Sequence, residues 1–177
     1  MRSLHAEGDL RPTAPRVAER AGVSVRTVWQ QFADMESLLV EADRVDIEIL
    51  RSLIKRIDPD QPLATRIELF TRQRARVLEQ MTPSWRAARL HGPFSAELRR
   101  SKDETLALAK AEVERVFAVE LTALKVEERE QLLDGLHAVS LWSFYESLRT
   151  EVGLDPEQAA ELLRTTATAL LVQAGFA

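Results

Sequence analysis

The sequence contains no cysteine, which excludes disulfide frameworks, thiolate metal sites and cysteine nucleophiles. Aromatic residues make up only 6% of the 177 residues, and no apolar run approaches the ~20 residues that a bilayer span requires. The N-terminal segment also lacks the apolar core of a signal peptide. Together with 45% hydrophobic and 29% charged residues, these absences predict a soluble, cytoplasmic protein with no membrane partner.

Glycine and proline are scarce as well, with 6 and 7 copies, and their clusters predict breaks between helices. Between the breaks the chain is rich in leucine, alanine, glutamate and arginine, which favour helices. No stretch alternates apolar and polar residues with enrichment in β-branched side chains, so strands are not expected. The sequence predicts an all-α fold.

Apolar residues at spacings of three and four predict where the helices lie. The helices expected beyond residue 34 cover about 35–57, 62–81, 83–91, 94–121, 126–151 and 155–174. Asp155 and Pro156 are expected to be the N-cap and the first residue of the last helix. Gly135, inside a predicted helix, is expected to cost about 1 kcal/mol relative to alanine.

Charge is unevenly distributed, although the net charge is only -4. Residues 1–32 carry five arginines against three acidic residues, whereas the remainder has 19 positive and 25 negative groups. This surplus of two positive charges is too small to identify a nucleic-acid partner by itself. The acidic runs at 112–114, 127–130 and 157–161 are expected to be solvated helix faces.

Residues 13–32 carry a more specific pattern, which predicts two short helices joined by a tight turn. Thr13 is expected to cap the first helix. The buried face of that helix is expected to consist of Val17, Ala18 and Ala21. Gly22 supplies the backbone freedom that ends the helix, Val23 fills the angle between the helices, and Ser24 caps the second helix. The pattern is that of a helix-turn-helix motif.

The second helix of this motif separates apolar from polar side chains. Its core-facing residues are expected to be Val25, Val28 and Phe32. Its outward-facing residues are expected to be Arg26, Thr27, Trp29, Gln30 and Gln31. A guanidinium can bridge guanine O6 and N7, amides can pair with adenine N6 and N7, and hydroxyls at a helix N-terminus can donate to phosphate. This chemistry favours DNA, and the alternative is a packing-only helix pair in which Trp29 tucks against the following helix.

Several short motifs together resemble a known family. The matching segments are Pro12-Thr13, VAERAGVS at 17–24, Thr27-Val28-Trp29, Phe32 and Glu36-Ser37-Leu38-Leu39. Over residues 4–42 they resemble the DNA-binding head of the TetR family of bacterial transcriptional regulators, and beyond that the resemblance is architectural. It implies a homodimeric repressor that binds double-stranded operator DNA and releases it when a small-molecule effector enters the helical body.

The resemblance also implies that the chain has two domains with different functions. Residues 1–42 are expected to form the DNA-binding domain, and residues 43–177 a ligand-binding and dimerisation domain. The expected DNA-binding residues are Thr13, Arg16, Ser24, Arg26, Thr27, Trp29, Gln30 and Gln31. The expected effector-binding residues are Trp85, Phe117, His137, Leu141, Trp142 and Tyr145, although core packing is the commoner role of any single aromatic residue.

The N-terminus departs from the family pattern. Residues 2–7 offer less than two helical turns before Gly8, so the first helix looks truncated, with only Leu4 and Ala6 to cover the head. Residues 1–10 are expected to be mobile, and the natural start is expected to lie upstream. Met35 also stands where the family often has lysine, so no phosphate contact is expected there.

Catalytic features are not found in the sequence. It shows no nucleophile with a suitably spaced base and no glycine-rich phosphate loop, so no catalytic residue and no enzyme activity are expected. His91 and His137 have no second ligand at metal spacing, so neither a metal nor a cofactor is expected. A second hypothesis stays open, in which the protein shares TetR-like ancestry but serves as a ligand-binding or interaction module without DNA binding.

Overall fold

The computed structural model describes residues 1–176, and over that range the protein is all-α, as predicted. The helices are α1 (Arg2–Ala6), α2 (Ala14–Ala21), α3 (Val25–Gln31), α4 (Met35–Leu53), α5 (Leu63–His91), α6 (Ala96–Val116), α7 (Ala118–Ala123), α8 (Val126–Val139), α9 (Trp142–Thr150) and α10 (Pro156–Gln173), with a 3-10 turn at Gly92–Phe94. None of these helices in the described part of the chain is long and apolar enough to cross a membrane.

The described chain packs into two compact units. Unit 1 comprises Met1–Ser52 and Met81–Glu104, and unit 2 comprises Leu53–Gln80 together with the residues from Thr105 onward. Helix α5 therefore supplies residues to both units. The expected division between residues 42 and 43 concerns function rather than packing, and it stays a prediction.

One core cluster of unit 1 is drawn from its first four helices. Its buried members are Leu4, Val17, Ala18, Val28 and Leu38, with Met1, Phe32 and Met35 packed against them. Burial of Val17, Ala18 and Val28 was predicted. The exposure of Ala21, Val23 and Val25 was not, and these three expectations were wrong. Each lies at or next to the turn, where the short helices leave no neighbouring element to cover them.

Helix α1 is short but makes specific contacts. Leu4 is fully buried and His5 is 5% exposed, whereas Ala6 is exposed. The expectation that Leu4 and Ala6 cover the head was therefore wrong for Ala6. Met1, Leu4 and His5 follow spacings of three and four, which place them on one side of a helix, and Ala6 falls outside that side.

The core of unit 2 combines aromatic packing with buried ion pairs. Phe70 and Phe117 meet edge to face, with ring centroids 5.3 Å apart. The carboxylate of Glu112 accepts a hydrogen bond from Arg74, whose guanidinium also lies over the ring of Phe70 at 5.4 Å from the centroid. Glu112 is 2% exposed, so the expectation of a solvated acidic face at 112–114 was wrong at this residue.

Several helix boundaries differ from the predicted ones. Helix α5 continues through Pro83, which was expected to break it, while α4 ends at Leu53 rather than near residue 57. The expected helix 126–151 is divided, because Leu141 adopts an extended conformation between α8 and α9. The expected helix 94–121 is likewise divided, at Phe117, between α6 and α7.

The start of α10 follows its sequence pattern closely. The Asp155 side chain accepts a hydrogen bond of 2.9 Å from the backbone N–H of Gln158. The Gln158 side chain in turn accepts one of 3.0 Å from the backbone N–H of Asp155. This reciprocal capping box, with Pro156 at the first helical position, confirms the predicted beginning of the helix.

Candidate nucleic-acid interface and ligand cavities

The turn between α2 and α3 is built from three residues with distinct local roles. Gly22 ends α2 with φ of +68°, a left-handed conformation that side chains other than glycine rarely adopt. The Ser24 side chain caps α3 by accepting a hydrogen bond of 3.0 Å from the backbone N–H of Thr27. Thr13 is the N-cap residue of α2 but makes no side-chain capping bond, so this expected cap was wrong. The two helices pack against each other.

Helix α3 presents one apolar and one polar side. Val28 is 5% exposed in the core of unit 1, whereas the polar side consists of exposed Arg26, Trp29, Gln30 and Gln31. Within residues 1–176, no hydrogen bond or ion pair engages the side chains of Arg26, Gln30 or Gln31. Trp29 is 43% exposed, so a large apolar area of its indole ring is in contact with solvent. The outward orientation expected from the sequence is observed for these four side chains, whereas Thr27 is half-buried.

The hydroxyls at the two helix N-termini differ in their engagement. The oxygens of Ser24 and Thr27 lie 2.8 Å apart and share one hydrogen bond. One of the two hydroxyl protons therefore remains available for an external acceptor. The hydroxyl of Thr13 is exposed and has no partner in the described residues.

Three of the five arginines in the first 32 residues form ion pairs with acidic side chains. The pairs join Arg2 to Asp46, Arg16 to Glu19 and Arg20 to Glu7. Arg16 and Glu19 are both exposed, so this pair exchanges readily for another anion. Arg11 and Arg26 have no acidic partner within residues 1–176, so they are the two unpaired arginines of this segment.

The residues expected to bind an effector are divided between the two units. Trp85 belongs to unit 1, and the other five belong to unit 2. Phe117 is fully buried in the core of unit 2 against Phe70. His137, Leu141 and Trp142 are half-buried. Burial lowers the pKa of the His137 imidazole, whose Nε2 atom is buried without a hydrogen-bond partner.

Among the expected effector residues, Tyr145 lines an open cavity. This cavity, which we call the α5–α10 groove, has a volume of about 580 Å³ within unit 2. The Tyr145 hydroxyl donates a hydrogen bond of 2.7 Å to Glu79, and burial together with that contact raises the tyrosine pKa above its usual range. Arg149 also donates to Glu79, at 3.3 Å. The rim is mixed in charge, since Arg72, Arg76 and Arg164 alternate with glutamates.

A second cavity lies within unit 1 and was missed by the sequence analysis. We call it the head cavity, and its volume is about 260 Å³. Its lining residues are Arg11, Pro12, Met35, Glu36, Leu39, His91, Phe94, Ser95 and Leu98. These residues come from three distant stretches of chain, so no local motif could have predicted that they meet. The imidazole Nε2 of His91 lies 3.3 Å from the backbone oxygen of Leu10 and thereby ties two of these stretches together.

The α3 face and the two cavities are the chemically distinctive surfaces of the described residues. The α3 face offers donors and acceptors suited to base edges, and the cavities offer apolar volume with charged rims. No family model matches the chain, and neither a curated protein nor a solved structure is significantly similar to it.

Proposed function

We propose that the protein is a cytoplasmic, dimeric, DNA-binding transcriptional repressor of the TetR type, with no enzymatic activity. In this proposal it binds double-stranded operator DNA through α3 and is released by a small-molecule effector. The observation that carries the proposal is the exposed polar face of α3, whose Arg26, Gln30 and Gln31 side chains have no partner among the described residues.

The composition of this face supports reading of bases in the major groove. Arg26 in the first turn of α3 can make the bidentate contact to guanine that is the commonest specific protein–DNA contact. Gln30, one turn later, can pair with adenine in the same manner. The exposed indole of Trp29 would bury apolar area against sugar or a thymine methyl group. A helix pair that serves only for packing would need polar side chains on this exposed face, but it would not need this combination of guanidinium and amide groups.

Sequence-independent affinity would come from groups around the helix N-termini. Phosphate oxygens can accept hydrogen bonds from the unpaired hydroxyl of Thr13 and from Arg16, whose ion pair is exposed. They can also accept one from whichever of the Ser24 and Thr27 hydroxyls does not donate to the other. Arg11 adds a positive charge with no acidic partner in the described range. Such contacts position a protein on the duplex and make its affinity depend on salt.

The dimer and the effector are separate parts of the proposal. Helix α10 buries Leu163 and Leu171 completely, yet leaves Leu162 at 38% and Val172 at 55% exposure. These exposed apolar side chains support an interface with a second copy. For the effector, the α5–α10 groove with Tyr145 has a volume typical of small-molecule sites.

The test begins with selection of bound sequences from a random double-stranded oligonucleotide pool. Fluorescence anisotropy then compares the enriched sequence with a scrambled one for wild type and for Arg26→Ala. Wild type should prefer the enriched sequence, and affinity for both should fall as salt rises. Arg26→Ala should reduce the preference roughly 5- to 150-fold, because a bidentate arginine contact carries about 1–3 kcal/mol of discrimination.

The matched control is Arg115→Ala, an exposed arginine of α6 that belongs to unit 2 and lines neither cavity. It should leave the preference unchanged. Failure of the pool to yield any enriched sequence would overturn the proposal and favour the alternative, a TetR-like ligand-binding or interaction protein without DNA binding. A preference that is unchanged in Arg26→Ala would instead show that Arg26 is not a base-reading residue.

A further inference from the structure

The head cavity combines a small apolar volume with charged groups at its rim. Its volume of about 260 Å³ lies just below the roughly 300–1,000 Å³ typical of drug-sized ligand pockets. Met35, Leu39 and Leu98 provide aliphatic lining, and Phe94 adds an aromatic ring. The size and lining suit a compact molecule with one apolar group.

Two opposite charges line this cavity without neutralising each other. Arg11 and Glu36 are both exposed, and neither side chain makes an ion pair or hydrogen bond within residues 1–176. The arginines of α1 and α2, by contrast, all have acidic partners. The cavity therefore presents one free cation and one free anion beside an apolar floor.

We propose that the head cavity binds a free α-amino acid with an apolar side chain, such as phenylalanine or leucine. The ligand carboxylate pairs with Arg11, its ammonium group pairs with Glu36, and its side chain lies against Met35, Leu39 and Phe94. A simple carboxylate would leave Glu36 without a partner, and a simple amine would leave Arg11 without one. A zwitterion satisfies both groups at once, which is why this ligand class fits best.

Phe94 supplies an independent reason for an apolar ligand. Its side chain is 84% exposed, the largest exposure among the large hydrophobic side chains of the described residues, although the ring lines the cavity. Covering an exposed aromatic ring with apolar area lowers the free energy of the complex. The side chain of a bound amino acid would provide such cover.

The site lies next to the start of the predicted DNA-binding motif. Arg11 and Pro12 line the cavity, and Thr13 follows them as the N-cap residue of α2. A ligand that holds Arg11 would remove a cation from phosphate contact and would weaken DNA binding. This regulatory consequence rests on the proposed function, whereas the binding of the amino acid does not.

The first experiment uses the full-length wild-type protein without DNA. Isothermal titration calorimetry compares L-phenylalanine with two analogues, 3-phenylpropionate, which lacks the ammonium group, and phenethylamine, which lacks the carboxylate. L-phenylalanine should bind with a Kd at or below about 1 mM, and each analogue should bind roughly tenfold more weakly. Absence of binding up to about 10 mM, or equal binding of all three molecules, would overturn the proposal.

A second experiment assigns the charges to their residues. Arg11→Gln and Glu36→Gln should each weaken L-phenylalanine binding roughly tenfold. Arg51→Gln and Glu48→Gln, exposed residues of α4 that do not line the cavity, should leave it unchanged. Binding unaltered by Arg11→Gln and Glu36→Gln would place the amino acid elsewhere. The analogue series uses only the wild-type protein, so it tests the proposal even where a variant folds poorly. Because no DNA is present, its result is independent of the proposed repressor function.

Discussion

The Arg66 guanidinium donates hydrogen bonds of 2.7 and 2.5 Å to the two carboxylate oxygens of Glu120, and both side chains are almost completely buried. Arg66 also donates to the backbone oxygen of Val116 at 2.7 Å. Burial alone would raise the pKa of the Glu120 carboxyl, but the hydrogen bonds from Arg66 and from a backbone N–H outweigh it, and the pKa is lowered. Each partner thus depends on the other for both charge and hydrogen bonding.

Removing one charge from this pair should destabilise unit 2 strongly. Glu120→Gln should lower the free energy of unfolding by roughly 3 kcal/mol, because it leaves the Arg66 cation buried without a counter-charge. Urea unfolding followed by circular dichroism measures the change. The control is Glu161→Gln, which breaks the exposed pair with Arg164 and should have little effect. Equal losses in the two variants would contradict the importance of burial.

The same pair predicts a pH dependence. Because the folded-state pKa of Glu120 is lowered, the pair should stabilise the protein fully above the ordinary carboxyl pKa of 4.5. That contribution should be lost as the pH falls through the lowered value. Unfolding curves of wild type and Glu120→Gln should therefore converge on acidification, and a constant difference between them at all pH values would contradict this assignment.

Gly22 should be intolerant of a side chain. Alanine at φ of +68° is strained, so Gly22→Ala should destabilise unit 1 by about 1 kcal/mol. Gly92→Ala is the matched control, because Gly92 has no positive φ and an added methyl there would meet open space. Hydrogen exchange at the amides of α2 and α3 reports the loss locally. Similar exchange in both variants would show that the turn can relax.

Gly135 should behave in the opposite way. It lies inside α8, and an added Cβ would contact the Leu170 side chain at 3.4 Å, the lower edge of ordinary van der Waals contact. Gly135→Ala should therefore raise the free energy of unfolding by about 0.5–1 kcal/mol through helix propensity. Urea unfolding measures the gain. A loss of stability would mean that the added methyl group and the Leu170 side chain repel each other.

His5 should make unit 1 sensitive to acid. Both ring nitrogens are buried without hydrogen-bond partners, and its pKa is lowered mainly by burial. The charged groups around it are the Met1 amino group and His91, which oppose protonation, and Asp46 and Asp9, which favour it. Because the unfolded chain takes up a proton more readily, stability should be full above the ordinary histidine pKa of 6.5 and should fall as the pH drops below it.

The His5→Met variant tests this linkage. Amide exchange in α1 and α2, corrected for the intrinsic rates, should accelerate in wild type between about pH 6.5 and pH 5. The variant should show less acceleration, because methionine fills the same space without a titrating group. His137→Gln, at a half-buried histidine of unit 2 that is not among the charged groups around His5, serves as the control. Identical pH profiles in wild type and His5→Met would exclude His5 as the sensor.

Local sequence patterns predicted helix formation well, and helix interruptions less well. The Asp155 capping box and the Gly22 turn depend on residues adjacent in the chain, and both form as expected. Pro83 was expected to end a helix, yet α5 continues, because Met81 and Ala87 on either side are each 1% exposed and their packing outweighs the lost backbone hydrogen bond. The break between α8 and α9 at Leu141 could not be predicted in this way, because no glycine or proline stands next to it in the sequence.

Long-range pairing limited the prediction of the interior and of the cavities. Glu112 was read as surface because nothing near it in sequence indicates Arg74, which lies 38 residues away. The outward face of α3 was predicted correctly, since it depends on the period of a single helix. The head cavity depends on the meeting of Arg11, Glu36 and Phe94, and only the folded chain brings them together.

Under the proposed function, the length of α3 limits how much DNA one copy of the protein could recognise. Seven residues make a helix about 10 Å long, which spans roughly three base pairs of B-DNA at ~3.4 Å each. A sequence of three base pairs recurs by chance about once in ~64 positions, whereas two such half-sites at fixed spacing recur about once in ~4,000. Under the proposed function, a single protomer would be nearly indiscriminate on a genome. Selectivity would come from the second copy, and an operator with two inverted half-sites is the sequence to expect.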